Sequence, residues 1–220
     1  MRTAVIIPAF DEADALPMVL ADLRAHVPDH EVVVVDDGST DGTHRAAAEA
    51  GATCLRLPFN LGIGGALRLG FRYAAEQGFD RAYQFDADGQ HDASQVPALL
   101  AGLDCADMVV GRRQSGHSGL YRAIGRKLIR LIAGLLVSMP ISDLNSGMKL
   151  YRTQLAKRYL VLCPEGMAFS DIITLVFIHR RDLVLETQIE VRPRSEGVST
   201  INTTTALETV FQILNIVALF

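Results

Sequence analysis

The chain of 220 residues lacks long apolar runs, closely spaced cysteines and a marked excess of charge of one sign. A helix that crosses a bilayer needs about 18 or more consecutive apolar residues. The longest candidate, 128–139, is shorter and is interrupted by Arg130, so we expect a half-buried helix there. The apolar run that ends at Pro8 is followed by acidic residues, which predicts a first strand and not a signal peptide.

The three cysteines, Cys54, Cys105 and Cys163, lie far apart in the sequence. An odd number without a CxxC pair excludes a disulfide framework that uses all three and is typical of a reducing compartment. We expect each cysteine to be a small buried apolar residue. The formal net charge of −4 gives no whole-molecule attraction to nucleic acid, so no nucleic-acid partner is expected.

Acidic residues are also missing between Asp107 and Asp143. The same stretch contains six basic residues, which are Arg112, Arg113, Arg122, Arg126, Lys127 and Arg130. A solvated basic face is one interpretation. A site for an anion, either a phosphate or a lipid headgroup, is the other, and the residues alone leave both open.

Apolar residues make up 49% of the chain and charged residues 21%, which is typical of a globular protein of a length that suits one α/β domain. In the first half, apolar runs at 3–8, 31–35, 53–57, 81–85 and 107–111 predict strands. Helical spacing predicts helices over 12–25, up to Glu49, and over 64–77 and 95–103. This alternation predicts a parallel sheet with helices on both faces.

The second half is less regular. Helices are expected at 121–137, 153–159 and 171–180, and a strand at 184–191. The last segment, 204–220, is apolar with one polar face, which predicts an amphipathic helix that packs on the domain or lies on a membrane.

Acidic residues follow three of the predicted strands. Ligands of parallel sheets bind at the carboxyl ends of the strands, so we expect these acids to line one crevice. In the segment 86–90, the carboxylates of Asp86 and Asp88 and the neutral oxygen of Gln90 suit Mg²⁺ or Mn²⁺, completed by substrate phosphate. A polar turn is the alternative for this motif taken alone.

Three further segments suggest a nucleotide site. Asp36 and Asp37 can accept hydrogen bonds from a ribose or a base, whereas a helix cap explains only the residues after them. Phe10 can stack on a nucleobase and Glu12 can bond the nucleoside, although a loop and helix start is an equal alternative. The glycines of 60–65 suit either a phosphate loop at a helix N-terminus or close packing.

Taken together, these motifs carry a family resemblance. The segments P-x-F-x-E (8–12), VVDDGSTDGT (34–43), N-x-G-x-G-x-A-x-x-x-G (60–70) and FDADGQH (85–91) resemble, in this order and spacing, family 2 glycosyltransferases of the GT-A fold. Residues 143–151 are similar to the D-x-x-S-G-F-R-x-Y segment of the polyprenyl-phosphate sugar transferases, such as the dolichyl-phosphate mannose synthases.

The resemblance implies a Rossmann-like α/β fold of the GT-A type, with a mixed, mostly parallel sheet between helices. It implies one domain over 1–220. Within it, 1–111 forms the nucleotide-sugar-binding half and 112–200 the acceptor-binding half.

The resemblance also implies a set of site residues. The metal ligands are Asp86, Asp88 and Gln90. The nucleotide contacts are Pro8, Phe10, Glu12, Val35, Asp37, Asp86 and Arg194. The acceptor phosphate is held by Arg112, Arg122 and Arg126, and the catalytic set is Asp86, Asp88, Arg122 and Asp143. The chain departs from the pattern at four places: Arg126 replaces Ser, Met148 replaces Phe, Lys149 replaces Arg and Thr200 replaces Lys.

These implications give a functional hypothesis. The expected reaction is metal-dependent, inverting transfer of a sugar from a GDP- or UDP-sugar to a polyprenyl phosphate. The expected location is the cytoplasm, peripheral on the inner face of the cell membrane. A lipid phosphate is already an anion and needs no general base. A hydroxyl of a glycan or cell-wall polymer is the alternative acceptor and needs one, with Asp143 or, less directly, Asp171 as the candidate.

A non-catalytic module that binds nucleotide sugars is the remaining alternative. His91, which follows the metal motif, is expected to lie beside the metal ligands or simply in solvent, and not to bind the metal itself.

Overall fold

The computed structural model describes residues 1–113, 141–144, 146–166 and 168–191. Their strands form one seven-stranded sheet in the order β3-β2-β1-β4-β6-β5-β7. The strands are β1 (Thr3–Ala9), β2 (Glu31–Asp36), β3 (Thr53–Arg56), β4 (Arg81–Gln84), β5 (Met108–Arg113), β6 (Lys149–Arg152) and β7 (Val184–Ile189). The sheet is mixed and mostly parallel with flanking helices, which confirms the expected fold class.

Helices cover both faces of the sheet. They are α1 (Leu16–His26), α2 (Thr43–Glu49), α3 (Ile63–Glu76), α4 (Val96–Gly102), α5 (Thr153–Tyr159) and α6 (Phe169–His179), with short 3₁₀ turns at Ala93–Gln95 and Leu160–Leu162. One buried cluster joins the sheet to α3, α5 and α6. A second cluster joins the opposite face to α1, α2 and α4.

The apolar alternation of the strands builds these two cores. In β1, Ala4 and Ile6 enter the first cluster, whereas Val5 and Ile7 enter the second, because successive strand side chains point to opposite faces. All four are fully buried. A central strand that is buried on both faces must be apolar throughout, which is what the sequence of β1 provides.

Strand β6 runs against the other six. It pairs antiparallel with β4 and β5, whereas β1 with β2, β1 with β4, β2 with β3 and β5 with β7 are parallel pairs. The amino end of β6, at Lys149, therefore lies at the same edge as the carboxyl ends of the others. This reversal delivers the chain before Lys149 to the edge where parallel sheets bind ligands.

Several sequence expectations change in detail. The sequence analysis did not predict β6, whose four residues include Lys149 and Arg152. Helix α1 begins at Leu16, four residues later than expected; the N–H of Glu12 donates to the Thr43 hydroxyl at 2.9 Å, and its carbonyl accepts from the N–H of Leu16 at 3.0 Å. The expectation of buried cysteines is confirmed for Cys163 and wrong for Cys105, which is exposed, whereas Cys54 is half-buried.

Other expectations fall outside the described residues. These are the helices at 121–137 and 204–220. Among the helices that the structure does describe, none is long and apolar enough to span a bilayer.

Candidate active site

The loops after β1 and β2 are held together by hydrogen bonds at the carboxyl edge of the sheet. The Asp11 Oδ1 atom accepts from the backbone N–H of Thr40 at 2.8 Å and of Asp41 at 3.3 Å. The N–H of Asp11 donates to Ser39 Oγ at 3.0 Å, although Asp11 itself has a positive φ of 53°. Asp11 thus serves to join the two loops, and its neighbour Phe10 remains 44% exposed on the same edge.

The two acids after β2 are both buried, but they differ in their partners. Asp36 accepts from the N–H of Ser39 at 2.9 Å and lies 3.2 Å from Arg56 Nε. Asp37 Oδ1 accepts from the N–H of Leu61 at 2.7 Å. Burial raises the pKa of Asp37, and the backbone N–H groups of Leu61 and Gly62 oppose that rise. Asp36 therefore closes its own turn, whereas Asp37 fixes the loop that leads into α3.

That loop favours close packing over a phosphate cradle. The N–H of Gly65, in the first turn of α3, donates to the carbonyl of Glu165 at 3.0 Å. A Cβ atom on Gly64 would lie 2.4 Å from the same carbonyl oxygen. Because this end of the helix is covered by the backbone of Glu165, the glycines are needed for contact between two segments of the protein.

Asp86 stands at the end of β4 with a defined set of donors. Its Oδ2 lies 3.1 Å from His91 Nε2, and its Oδ1 accepts from Gln84 Nε2 at 3.3 Å. Burial acts to raise the pKa of Asp86, but the hydrogen bond and charge of His91 and the bond from Gln84 outweigh it and lower the pKa. The carboxylate is therefore ionised at neutral pH, as a metal ligand must be.

His91 is buried and not in solvent. It is 4% exposed, and its ring contacts Phe85 with the ring centres 5.6 Å apart. This geometry agrees with the expectation that His91 lies beside the predicted metal ligand Asp86 and does not bind the metal itself. The alternative expectation, that His91 is exposed to solvent, is wrong. Its Nδ1 atom has no hydrogen-bond partner in the part of the chain that the structure describes.

Asp88 and Gln90 complete the turn. Asp88 Oδ1 accepts from the N–H of Gln90 at 3.0 Å, and Gly89 between them has a φ of +73°, which glycine adopts without strain. The side chains of Asp86, Asp88 and Gln90 supply only oxygen acceptors to a metal, and all three are half-buried. This set suits a hard divalent cation. Across the described ranges, no three or more His, Cys, Asp and Glu side chains are grouped to hold a metal ion.

The segment before β6 presses on this turn. A Cβ atom at Gly147 would lie 2.1 Å from Asp86 Oδ2 and 2.7 Å from His91 Nε2, so no side chain fits there. Met148 is held in place because its carbonyl accepts from the N–H of Gly111 at 2.9 Å. Residue 147 must therefore be glycine for the chain to approach the Asp86 carboxylate.

Asp143 forms the principal ion pair of the site. Arg113 donates to it from Nε and Nη2, each at 2.8 Å, and from its backbone N–H at 3.1 Å. Burial acts to raise the pKa of Asp143, but these bonds and the Arg113 charge outweigh it and lower the pKa. The sequence analysis counted Arg113 only among the basic residues and gave it no role. A partner 30 residues away has no local sequence signal.

Two charged residues lie beneath this surface. Lys149 and Asp171 are 0% and 1% exposed. Burial lowers the pKa of Lys149 to about 8, and burial raises that of Asp171 to about 6. The sequence analysis listed Lys149 only as a departure from the family pattern, and Asp171 as a less direct candidate for a base. Their burial is visible only in the folded protein.

The remaining predicted site residues lie in three settings. Pro8 and Glu12 are half-buried at the end of β1. The side chain of Val35 is fully buried in the core, so it offers no surface to a ligand. Arg112 is exposed and contacts Gln188 at 3.4 Å. Arg122, Arg126 and Arg194 lie outside the described residues, as does Thr200.

This fold is that of nucleotide-sugar transferases of the GT-A type. Glucosyl-3-phosphoglycerate synthase from Mycobacterium tuberculosis, solved with Mn²⁺, UDP-glucose and phosphoglyceric acid, superposes with a TM-score of 0.78 at 19% identity. The superposition covers 99% of this chain and 80% of that one. The likeness establishes the fold alone.

The sequence assigns the family. The family described as Glycosyl transferase family 2 matches residues 4–160, and the chain belongs to that family. It is 33% identical to undecaprenyl-phosphate mannosyltransferase of Micrococcus luteus over 187 residues, which are 80% of this chain and 77% of the relative. It is 26% identical to polyprenol monophosphomannose synthase of Mycolicibacterium smegmatis, over 96% of this chain and 85% of the relative. The protein is a glycosyltransferase, which sets aside the non-catalytic alternative.

Proposed function

We propose that this glycosyltransferase moves a sugar from a nucleoside-diphosphate donor onto the phosphate of a polyprenyl phosphate. The names of both relatives contain a polyprenyl phosphate or polyprenol as the group that receives mannose. The relatives are similar over most of the chain, beyond the nucleotide-binding motifs. These relatives support the assignment of a polyprenyl-phosphate acceptor more strongly than they support any particular nucleotide base or sugar in the donor.

The state of Asp143 is the observation that carries this proposal. A hydroxyl acceptor needs a general base, and an efficient base has a pKa near the working pH. Asp143 instead has a lowered pKa and accepts three hydrogen bonds from Arg113. A carboxylate so stabilised as an anion is a weak base. A lipid phosphate is already anionic and needs only cations to hold it, so this site suits a phosphate nucleophile better.

The proposed roles follow from the two sides of the site. Phe10 and Glu12 contact the nucleoside, with Asp37 beside them. Pro8 and Val35 help to shape the nucleotide site through their backbone, which sets the path of β1 and β2 at the edge of the sheet. Arg194 binds the donor diphosphate. These assignments make residues 1–111 the donor half and 112–200 the acceptor half.

Asp86, Asp88 and Gln90 would hold Mg²⁺ or Mn²⁺. Such an ion, when bound, neutralises charge that grows on the departing diphosphate. The ionised carboxylate of Asp86 and the oxygen acceptors of Asp88 and Gln90 fit that role, and none of these three side chains carries sulfur. The His91 contact would orient Asp86 toward the ion, as partners of metal ligands generally do.

The acceptor phosphate would be bound by Arg112, Arg122 and Arg126. An oxygen of that phosphate attacks the anomeric carbon, and the bond from that carbon to the donor diphosphate breaks. Attack from the side opposite the leaving group inverts the anomeric centre. Arg122 is the proposed catalytic cation, because it holds the nucleophile beside a donor of the same charge.

We also propose that the protein works as a peripheral protein at the inner face of the cell membrane. The acceptor is a membrane lipid, and the amphipathic pattern of 204–220 suits a helix at a membrane surface. Flotation with liposomes, for the full chain and for a chain that ends at residue 203, tests this association.

A second candidate is transfer to a hydroxyl of a glycan or cell-wall polymer. The pKa of Asp171, which burial raises to about 6, favours it because that value suits a general base. Against it, Asp171 is 1% exposed and lies below the surface on which a substrate would bind.

An acceptor assay separates the two candidates. The protein is incubated with Mn²⁺, labelled UDP- and GDP-sugars and either undecaprenyl phosphate or a glycan. We expect label in the butanol phase, and we expect none from Asp88→Asn. Label that enters only a water-soluble product would refute the lipid acceptor.

Arg122→Ala sharpens the acceptor assignment. We expect the KM for undecaprenyl phosphate to rise about tenfold or more, since a charged hydrogen bond contributes roughly 1.5–3 kcal/mol. Arg130→Ala is the matched control from the same acid-free stretch. Equal KM values for the two variants would move the phosphate site elsewhere.

A further inference from the structure

Lys149 is a buried cation whose contacts converge on the segment that covers Asp86. We propose that Lys149 is a positioning residue, which holds residues 143–144 and 146–148 against the proposed metal-binding turn from inside the protein. The inference rests on the proposed function, because it concerns the metal and donor site. Lys149 does not touch the substrate and takes no part in bond making.

The contacts of Lys149 join three parts of the fold. Its Nζ atom donates to the carbonyl of Leu144 at 2.6 Å and to Thr174 Oγ1 at 2.9 Å, and also to the carbonyl of Ser170. Leu144 belongs to the segment before β6, whereas Ser170 and Thr174 lie in α6. One ammonium group with three donors thus ties the segment to the first turns of a core helix.

The same segment meets the active site on its other side. Arg113 binds Asp143, one residue before Leu144, with two side-chain bonds of 2.8 Å. Gly147 then touches the Asp86 carboxylate so closely that an added Cβ would lie 2.1 Å from Oδ2. Arg113 therefore holds the segment beside the site, and Lys149 holds it from the core.

Charge balance explains why a cation is needed at this depth. Asp171 is buried, and neither of its carboxylate oxygens accepts a hydrogen bond within the described part of the chain. Lys149 interacts favourably with Asp171, Asp143 and Asp86, and Arg113 opposes its charge. A buried carboxylate without hydrogen bonds must rely on a nearby cation, and removing that cation leaves the negative charge uncompensated.

A purely structural lysine is the alternative. In that case Lys149 only stabilises the core, and activity follows the folded fraction. A positioning residue has a different signature, because the folded enzyme itself turns over more slowly. The two roles separate when stability is restored without restoring the contact to Leu144.

Three variants make this separation. Lys149→Met removes the ammonium at similar length, and Lys149→Arg keeps a cation with more donors. The double variant Lys149→Met with Asp171→Leu replaces both buried charges by apolar side chains, and such paired replacements are often tolerated. Tyr159→Phe is the control. It deletes the 2.8 Å bond from the Tyr159 hydroxyl to Asp182, in the same core but away from the site.

Each variant is assayed for thermal unfolding, for kcat and KM, and for calorimetric binding of UDP and GDP with and without Mn²⁺. We expect Lys149→Met to lose about ten- to a hundredfold in kcat and in Mn²⁺-dependent nucleotide affinity, as for other residues that orient metal ligands. Lys149→Arg should remain near wild type. The double variant should regain stability but keep the low kcat.

Two results would overturn the inference. One is normal kcat and normal Mn²⁺-dependent binding in folded Lys149→Met. The other is recovery of kcat in the double variant in step with its stability. The result is different if the proposed acceptor is wrong. The wild-type enzyme then does not transfer sugar to polyprenyl phosphate, but Mn²⁺-dependent nucleotide binding can still be compared between wild type and Lys149→Met.

Discussion

The proposed donor half (1–111) and the proposed acceptor half (112–200) use charged side chains in different ways. In the donor half, Asp11, Asp36 and Asp37 accept backbone N–H groups and so shape the loops at the ends of β1 and β2. In the acceptor half, Asp143 pairs with the Arg113 side chain and Lys149 lies wholly in the core. The carboxylates of the donor half thus fix the backbone of the loops after β1 and β2. The charged side chains of the acceptor half fix the residues before β6, with Lys149 acting from the core.

The difference predicts how the two halves respond to change. Hydrogen bonds from loop backbone to Asp11, Asp36 and Asp37 act locally, and water can replace them in part at the exposed Asp11. The pair of Arg113 with Asp143 is only partly exposed and Lys149 is fully buried, so water replaces their charge interactions less readily. Substitutions in the acceptor half should therefore alter the chemistry of the folded enzyme, whereas those in the donor half should alter ligand affinity or stability.

The largest effect is expected where the two halves meet, at the metal-binding turn. Asp88→Asn should lower kcat by about a thousandfold, in the range found when charge stabilisation of a transition state is removed. The fold should remain, because Asp88 is half-buried and its amide replacement keeps the shape. Initial rates at saturating Mn²⁺, with circular dichroism as the control for folding, check this. A rate within threefold of wild type, roughly 0.6 kcal/mol, would refute the metal assignment.

A pair of glycines tests the comparison directly. Cβ atoms would lie 2.1 Å from Asp86 at Gly147 and 2.2 Å from Ile6 at Gly70, so the two clashes are matched. Gly147→Ala should lower kcat by about ten- to a hundredfold, because it displaces a metal-binding carboxylate. Gly70→Ala should cost about 1–3 kcal/mol of stability through overpacking and leave the rate of the folded enzyme unchanged.

Urea unfolding curves measure the stability of each variant, and kinetics at 20 °C without urea measure the rate of the folded enzyme. The two measurements together separate these outcomes. Equal losses of kcat in the two variants would mean that the glycines share one structural role. The proposed distinction between the halves would then fail at these positions.

Phe10→Ala tests the donor half alone. The ring is 44% exposed, so its loss should leave stability nearly unchanged. Affinity for the nucleoside diphosphate should fall about tenfold, since an aromatic contact with a base is worth roughly 1–3 kcal/mol. Val161→Ala, which removes an exposed apolar side chain from the turn Leu160–Leu162, is the control. Equal affinity in both variants would remove Phe10 from the nucleotide site.

The smallest effect concerns acid stability. The folded protein lowers the pKa of Asp143 below its ordinary value of 3.8. The pair with Arg113 therefore stabilises the protein above pH 3.8, and this contribution is lost as the pH falls through the lower folded pKa. Asp143→Asn cannot titrate, so its unfolding free energy should decline less steeply than that of wild type below about pH 4. Parallel curves for wild type and variant would contradict the pair's role.

The sequence was informative where the physical signal is local. Apolar alternation and turn residues indicated β1, β2 and β4, and the acids after them were correctly expected at one edge of the sheet. The strand β6 escaped prediction because Lys149 and Arg152 interrupt its apolar pattern. A lysine in that context suggests solvent, and only the folded core shows that it is buried.

Contacts over long sequence distances could not be predicted in the same way. The pair of Arg113 with Asp143 spans 30 residues, and Gly147 meets Asp86 only because β6 runs antiparallel beside β4. His91 was correctly placed near the metal motif but not in a buried contact. The reversal of one strand thus accounts for most of what the sequence did not reveal about the site.

Binding of Mn²⁺ together with a nucleoside diphosphate is the most direct test of the site. The paramagnetic resonance signal of free Mn²⁺ is followed while UDP or GDP is added to wild-type protein and to Asp86→Asn. We predict that one of the two nucleotides reduces the free signal with wild type well beyond the loss that the same nucleotide causes without protein, and that Asp86→Asn abolishes this excess. Equal loss of signal with both proteins would show that the ion binds without Asp86, and the proposed donor site would be wrong.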